Sequence, residues 1–268
     1  MNKYPILFFD SGLGGLTVMR AARLKLPGHQ FIYVADDAYF PYGEREERQL
    51  KEHILNLFAT LVKRFNPCLC VLACNTASTL VLEDLRLKFP QCLFVGTVPA
   101  IKLASQNTHS GLITVLATPA TVKRDYTQNL INSYAQNCEV TLVGAKNLAT
   151  ISENYVRTNN INTDILKREI ISAFICKANK YTDIIVLACT HYPFLINEMR
   201  NVAPWPVDWL DPSEAIANRI KFLLDTKQIK PDNIEIKPDL AYFTSSNIDF
   251  LNKRLLQAFG LTLILDNS

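Results

Sequence analysis

Short apolar segments alternate with longer amphipathic segments along almost the whole chain. The apolar segments are near-continuous in Val, Ile, Leu, Phe and Cys, as expected for strands buried on both faces. They predict strands at residues 5–9, 31–34, 68–73, 92–95, 111–116, 140–143 and 184–188, with two more at 240–244 and 261–265. The amphipathic segments, with an apolar residue every third or fourth position, predict helices at 13–26, 44–65, 77–89, 119–135, 164–178 and 212–224.

This alternation of strands and helices predicts an α/β fold with mostly parallel sheets flanked by helices. Two of the predicted strand ends are alike: Val71-Leu-Ala-Cys74-Asn-Thr and Val186-Leu-Ala-Cys189-Thr-His. About one small α/β domain separates them, which indicates an internal duplication. We therefore predict two pseudo-symmetric domains, residues 1–97 plus 208–268 and residues 98–207. Because ligands bind at the carboxyl ends of parallel strands, we expect the active site in the cleft between these domains.

Composition narrows the classes of function. The 268 residues are 49% hydrophobic and 20% charged, with a net charge of +3, as in an ordinary soluble globular protein. This balance argues against direct binding to nucleic acid, which is usually accompanied by a marked basic excess. The longest apolar runs are strand-sized, so we expect no membrane span and no export signal, and a cytoplasmic location.

The seven cysteines are an odd number, which does not fit a disulfide framework. The spacing Cys68-x-Cys70-x3-Cys74 lacks the paired cysteines or histidines of a zinc site, so we predict no metal. Five cysteines are predicted to be small packing residues, mostly on strands. They are Cys68, Cys70, Cys92, Cys138 and Cys176.

The segment Asp10-Ser-Gly-Leu-Gly-Gly15 joins the first predicted strand to a helix, a position whose free N–H groups favour an anion. It lacks the Gly-Lys-Ser/Thr of a phosphate-binding loop, and Thr17 breaks the dinucleotide fingerprint. A tight turn is the alternative reading of its glycines. Asp10 follows a buried apolar run, where an unpaired carboxylate is costly, and this favours a functional role.

Three other predicted strand ends carry polar residues. Tyr42-Gly43 offers backbone N–H groups, and Asn75-Thr76 offers side-chain donors at a helix start; both suit a carboxylate ligand. A structural turn and simple helix capping explain these residues equally well. His191 follows Cys189 by two residues and can relay its proton. We assign no specific role to the remaining histidines, which are His29, His53 and His109.

The paired thiols carry the strongest chemical signal. Inversion of a stereocentre by proton transfer requires a base on one face of a carbon and an acid on the other. A cysteine at each of two opposed strand ends can serve both roles, since its ordinary pKa is near 8.5. No cofactor motif is present, although a Schiff-base lysine is an alternative that the residue pattern leaves open.

Four segments, FFDSGLGGLTV, FPYGE, ACNTAS and ACTHYP, resemble those of glutamate racemase, the cofactor-independent enzyme of bacterial wall synthesis. The segment at 115–124 resembles the variant of its proteobacterial branch. The resemblance implies an isomerase without cofactors that supplies D-glutamate for peptidoglycan synthesis, and hence for cell wall biogenesis and cell shape.

The resemblance also implies roles for individual residues. Cys74 and Cys189 match the two acid/base thiols, and His191 matches the helper of the second thiol. Glu153 is nearest to the family's additional acidic helper, although the usual Pro-Leu-Val-Glu setting is absent. The substrate-binding positions are Asp10 and Ser11 near the ammonium group, Tyr42 and Gly43 at the side-chain carboxylate, and Asn75, Thr76 and Thr190 around the α-carboxylate.

Several alternatives stay open at this point. The chain can be an aspartate racemase or another amino-acid racemase with the same thiols, or a non-catalytic amino-acid-binding or regulatory protein. The resemblance to proteobacterial members implies activation by a wall precursor, a nucleotide-linked muramyl-alanine. A homodimer is one candidate assembly, and no residue in the sequence distinguishes it from a monomer.

Overall fold

The computed structural model describes residues 4–231, 237–245 and 248–265. Contacts within the chain divide it into two compact units. The first comprises Met1–Thr97 together with Ser213–Ser268, and the second comprises Val98–Pro212. Of the predicted first domain, residues 1–3, 232–236, 246–247 and 266–268 lie outside the described part.

In the described part of the chain, nine strands follow the nine predicted apolar segments closely, and three others, β7, β8 and β10, were not predicted. They are β1 (Ile6–Asp10), β2 (Phe31–Ala35), β3 (Leu69–Leu72), β4 (Leu93–Gly96), β5 (Leu112–Ala117), β6 (Glu139–Gly144), β7 (Cys176–Lys177), β8 (Lys180–Tyr181), β9 (Ile184–Ala188), β10 (Asp208–Leu210), β11 (Asp239–Phe243) and β12 (Leu261–Ile264).

The helices account for most of the amphipathic segments. They are α1 (Leu16–Lys25), α2 (Glu47–Phe65), α3 (Asn75–Lys88), α4 (Ile101–Asn107), α5 (Pro119–Val122), α6 (Asp125–Tyr134), α7 (Leu148–Thr158), α8 (Thr163–Ile170), α9 (Ile196–Val202), α10 (Ser213–Thr226) and α11 (Phe250–Ala258). No helix within the described ranges combines the length and apolar character that a membrane crossing requires.

Each unit contains one parallel sheet. In the first unit the strand order is β12-β11-β2-β1-β3-β4, and in the second it is β10-β9-β5-β6. The order β4-β3-β1-β2 of the first sheet corresponds to the order β10-β9-β5-β6 of the second. The predicted α/β fold, with parallel sheets flanked by helices in two halves, is confirmed. Cys74 and Cys189 follow β3 and β9, which occupy equivalent places in this order.

Helix α2 shows how the sequence builds the first unit. Glu46 caps its start by accepting hydrogen bonds from two backbone N–H groups of the first turn, and Asn66 ends it in the left-handed conformation. Its buried face consists of Leu50, Ile54, Phe58 and Leu61, which pack into the core around β1 and β3. The predicted apolar stripe thus selects the face of α2 that the sheet covers.

Two details of the predicted organisation require correction. The segment Asp208–Leu210 was assigned to the first domain, but it pairs with β9 in the second sheet, and the second unit extends to Pro212. The predicted helix at 164–178 ends as α8 at Ile170. Beyond it, β7 and β8 form a hairpin whose turn places Ala178 and Asn179 at positive φ.

The predicted helix at 119–135 is also wrong as a single helix. Arg124 has an extended backbone between α5 and α6, with ψ of 133°. Two buried threonines compete locally with helical hydrogen bonding, because Thr127 donates through Oγ1 to the carbonyl of Thr121 at 2.9 Å. The side chain of Thr118 caps the short helix α5.

The cysteines assigned to packing differ in exposure. Cys70 and Cys92 are buried, whereas Cys68 and Cys138 are only partly buried. The prediction of a small buried residue is wrong for Cys176, because its strand β7 belongs to the surface hairpin and the residue is exposed.

Candidate active site

The predicted site residues form two groups, one in each unit. The first half-site consists of Asp10, Ser11, Tyr42, Gly43, Cys74, Asn75 and Thr76. The second half-site consists of Glu153, Cys189, Thr190 and His191, and the structure adds Tyr192, which is buried close to Cys189. Asp10 is the last residue of β1, and the other six residues of the first half-site follow the carboxyl ends of β1, β2 and β3.

Asp10 ends β1, and the pairing of β1 with β3 brings it beside the segment that carries Cys74. Asp10 is fully buried, and its Oδ1 accepts a hydrogen bond from the Gly12 N–H at 2.9 Å. A Cβ on Gly15 would lie 2.8 Å from the Cβ of Asp10 and 2.9 Å from that of Ala73. Gly15 is therefore required for the close approach of α1 to both residues, as the glycine-rich sequence suggested.

Cys74 stands between β3 and α3, where it is the N-cap residue of the helix. The residue is only 6% exposed, and its thiol donates to Ser11 Oγ with a sulfur–oxygen distance of 3.8 Å. The next residue, Asn75, is buried, and neither polar atom of its amide has a hydrogen-bond partner within the described residues. A buried, unpaired amide beside a thiol and a helix N-terminus is well suited to an anionic ligand.

Tyr42 and Gly43 lie in a 3-10 turn, Tyr42–Glu44, after β2. The first backbone hydrogen bond of this turn runs from the Glu44 N–H to the Pro41 oxygen. The N–H groups of Tyr42 and Gly43 come before this bond and are therefore not used within the turn. The Tyr42 hydroxyl donates a short hydrogen bond to the buried carboxylate of Asp36. Burial, reinforced by the charge of Asp36, raises the pKa of the Tyr42 phenol well above its usual value, so it remains a donor.

In the second half-site, Cys189 follows β9 directly and is 7% exposed. Its sulfur lies 3.8 Å from Nδ1 of His191, and Nε2 of the same ring lies 2.7 Å from Oε1 of Glu153. An ionised carboxylate can only accept, which assigns the ring proton to Nε2 and leaves Nδ1 to accept from the thiol. The three side chains therefore form a path for a proton away from Cys189.

Neighbouring residues fix this arrangement. Ser152, on α7, donates through Oγ to the backbone oxygen of His191 at 2.6 Å, which ties the loop after β9 to the helix that carries Glu153. Tyr192 is fully buried, and burial together with the nearby Cys189 raises the pKa of its phenol well above the usual value. Its neutral hydroxyl donates to the Ala145 oxygen at 3.4 Å.

The two thiols have different partners. Cys74 has a hydroxyl neighbour and a buried carboxylate, Asp10, on the adjacent strand, whereas Cys189 has an imidazole–carboxylate pair. Each unit can therefore present one cysteine as an acid or a base, by a different local route.

Three features of these half-sites were not anticipated from the sequence. Glu153 lacks the usual Pro-Leu-Val-Glu setting, yet it lies within hydrogen-bond distance of His191. His53 was assigned no role, yet its Nε2 lies 2.6 Å from Oδ2 of Asp36. Tyr192 was not singled out at all. Their partners lie 17 to 38 residues away in the sequence for Glu153 and His53, so no local pattern reveals them.

Comparison with known proteins places these half-sites in a family. The model of the Asp/Glu/Hydantoin racemase family matches residues 17–220. The chain is 57% identical over 263 residues to the glutamate racemase of Bartonella quintana, covering 98% of this chain and 97% of that protein. It is 55% identical over 257 residues to the glutamate racemase of Brucella canis, covering 96% of this chain and 92% of that protein.

A solved structure is similar over the same extent. It is that of Escherichia coli glutamate racemase in complex with L-glutamate and the activator UDP-MurNAc-ala. The TM-score is 0.88 at 33% sequence identity, covering 98% of this chain and 97% of the other. The chain therefore belongs to the Asp/Glu/hydantoin racemase family.

Proposed function

We propose that this chain is a glutamate racemase that interconverts L- and D-glutamate with Cys74 and Cys189 as its two acid/base groups. The observation that carries the proposal is the pair of buried thiols at equivalent strand ends of the two sheets, each with its own polar partner. The similarity to glutamate racemases over nearly the whole chain supports glutamate as the substrate.

The proposed reaction is a proton transfer on each face of the α-carbon. One thiolate removes the α-hydrogen as a proton, so that a C–H bond breaks and an S–H bond forms. The other thiol gives its proton to the opposite face, so that an S–H bond breaks and a new C–H bond forms. No electrons leave or enter the substrate. His191 and Glu153 hold or return the proton of Cys189, and Ser11 and Asp10 serve Cys74.

The remaining residues bind the charges of the substrate. The unpaired amide of Asn75, with Thr76 and the N-terminus of α3, suits the α-carboxylate, and Thr190 is assigned to the same group. The turn at Tyr42 and Gly43 receives the side-chain carboxylate. Asp10 and Ser11 lie near the ammonium group. The placement of the substrate in a cleft between the two domains stays a prediction.

Turnover in deuterated water tests the reaction. We expect L-glutamate to yield D-glutamate that carries deuterium at Cα, and D-glutamate to yield labelled L-glutamate, with both detected by NMR and chiral chromatography. Inversion with the original α-hydrogen fully retained would exclude the two-base mechanism. The same assay with aspartate separates the alternative substrate, because a faster rate with aspartate would contradict glutamate specificity.

The proposal includes a regulatory partner and a cellular role. The related Escherichia coli enzyme was crystallised with the activator UDP-MurNAc-ala, and we extend this chemistry, a nucleotide-linked muramyl-alanine, to the present chain. An increase in racemisation on its addition tests this extension. The product D-glutamate would serve peptidoglycan synthesis. The cytoplasmic location and the homodimer stay predictions.

A further inference from the structure

A fully buried carboxylate lies beneath the turn proposed to bind the side-chain carboxylate of the substrate. Asp36 follows β2 and has no exposed surface. Its Oδ2 receives the Tyr42 hydroxyl and lies 2.6 Å from Nε2 of His53, and its Oδ1 receives the Thr244 hydroxyl at 2.8 Å. A turn that receives an anion is thus built directly on another anion.

The partners of Asp36 decide whether this arrangement attracts or repels a carboxylate. A buried carboxylate with too few donors is costly, and its field extends further than it would in water. Tyr42 and Thr244 contribute neutral hydroxyls. His53 contributes a ring nitrogen, so that, among the described residues, three side chains bind the two oxygens of Asp36.

The position of the His53 ring is fixed by its surroundings. It projects from the second turn of α2 and stacks on Tyr39, with ring centroids 4.1 Å apart and an interplanar angle of 12°. The guanidinium of Arg45 lies 4.7 Å from the centroid of the same Tyr39 ring and donates to the backbone oxygens of Tyr39 and Phe40. The segment that leads into the turn is therefore held in contact with the ring of His53.

We infer that His53 is a positioning residue for the side-chain carboxylate of the substrate, acting through Asp36 and Tyr42. Its Nε2 donates to Oδ2 of Asp36, and this hydrogen bond holds the carboxyl group where it orients the Tyr42 hydroxyl before the substrate arrives. This inference rests on the proposed function. It adds to that function a residue that never contacts the reacting carbon.

The inference makes a specific kinetic prediction. The side-chain carboxylate is remote from the α-carbon, so its interactions are equal in the ground state and the transition state and affect KM rather than kcat. Two neutral substitutions of His53 distinguish the loss of the hydrogen bond to Asp36 from the loss of the ring itself. The amide nitrogen of glutamine can take the place of histidine Nε2, whereas that of asparagine takes the place of Nδ1 and falls short of Asp36.

We expect His53→Asn to raise KM for both enantiomers of glutamate about tenfold with kcat within about twofold, and His53→Gln to keep KM within about threefold of the wild type. The matched control is His109→Asn, which changes an exposed histidine of the second unit and should leave both constants unchanged. Equal KM values for His53→Asn and the wild type would overturn the inference. Equal losses in His53→Asn and His53→Gln, or a fall in kcat alone, would overturn it as well.

These outcomes are distinct from a failure of the proposed function. If the wild-type chain does not racemise glutamate, the proposed function is wrong and the variants need not be compared. If the wild type racemises glutamate and the two His53 variants match it, only the role of His53 is wrong. Thermal unfolding of His53→Gln should follow the wild type closely, whereas His53→Asn should unfold at a somewhat lower temperature, because it removes one hydrogen-bond partner of the buried Asp36.

Discussion

Glu153 and His191 give the thiol of Cys189 a route for its proton that Cys74 does not have. The 2.7 Å contact fixes the ring proton on Nε2, so that Nδ1 can accept from the thiol. Glu153→Gln keeps the size of the side chain but removes the charge that stabilises the imidazolium. We therefore expect kcat/KM to fall about ten- to a hundredfold, and equally in both directions, because the equilibrium constant of a racemisation is one.

The isotope effect distinguishes this role from a general loss of structure. With α-deuterated substrates, Glu153→Gln should raise the primary isotope effect for the enantiomer whose α-hydrogen Cys189 removes, and lower it for the other. Glu139→Gln provides the control, because Glu139 is an exposed partner of Lys177. Isotope effects that change in parallel for both enantiomers would show that Glu153 does not act on Cys189.

Among single residues, the sequence identifies those that are marked by their immediate neighbours along the chain. It does not identify those whose role depends on a partner far away in the sequence. Cys74 and Cys189 end apolar strand segments, and the topology alone places them at equivalent sites. The Asp36–His53 contact joins the residue after β2 to the second turn of α2, and the Glu153–His191 contact joins α7 to the loop after β9. Such pairs depend on packing, which a periodic pattern does not specify.

Among the elements, the turn between α4 and β5 is held to the start of β9 by one carboxylate. Asp183 accepts hydrogen bonds from Thr108 Oγ1 at 2.7 Å, from the His109 N–H at 2.7 Å and from the Ser110 N–H at 2.9 Å. Burial acts to raise its pKa, but these hydrogen bonds outweigh burial and lower the pKa below the usual value of 3.8. The charged form is therefore favoured by folding.

The direction of the Asp183 pKa shift determines how the free energy of unfolding depends on pH. A lowered carboxyl pKa contributes stability above the unfolded-state value, and the contribution is lost as the pH falls through the folded-state pKa. Asp183→Asn should lower the free energy of unfolding by about 1–2 kcal/mol at pH 7, and the difference should shrink as the pH falls below 3.8. Urea unfolding followed by tryptophan fluorescence measures it, because both tryptophans, Trp205 and Trp209, belong to the second unit.

A matched variant tests whether the contacts of Asp183 cause the effect. Asp225→Asn removes an exposed carboxylate that pairs with Lys221 one helical turn away, and we expect a change within about 0.5 kcal/mol. A loss for Asp183→Asn that stays constant between pH 7 and pH 3 would contradict the assigned charge.

The elements that sequence reasoning placed correctly are those with continuous apolar character. β1, β2, β3, β5 and β9 are buried along their whole length, so their apolar runs leave little ambiguity. Helix α7 was not predicted, since it is rich in polar and β-branched residues and only one narrow face of it is buried. The residue that marks the end of α7 in the sequence is Asn159, whose left-handed conformation ends the helix. Likewise, Ala178 and Asn179 mark a hairpin that helical periodicity conceals.

For the whole molecule, the equivalent strand orders of the two sheets suggest that each unit contributes half of the chemistry. A chain with one thiol can still remove the proton from one enantiomer, but it cannot deliver a proton to the other face. Cys74→Ala and Cys189→Ala should each lower racemisation by about a thousandfold or more. In deuterated water each variant should still exchange the α-hydrogen of one enantiomer with retention of configuration, and the exchanged enantiomer should be opposite in the two variants.

The control for this experiment is Cys176→Ala, which removes the exposed thiol of the surface hairpin and should racemise like the wild type. NMR of the α-hydrogen signal of L- and D-glutamate, incubated separately with each variant, measures the exchange. If both single-thiol variants exchanged the same enantiomer, the two cysteines would act on the same face of the substrate. The assignment of one cysteine to each face would then be wrong. Opposite exchange would instead establish that each duplicated strand end supplies the acid/base group of one face, which is the reason a racemase needs both.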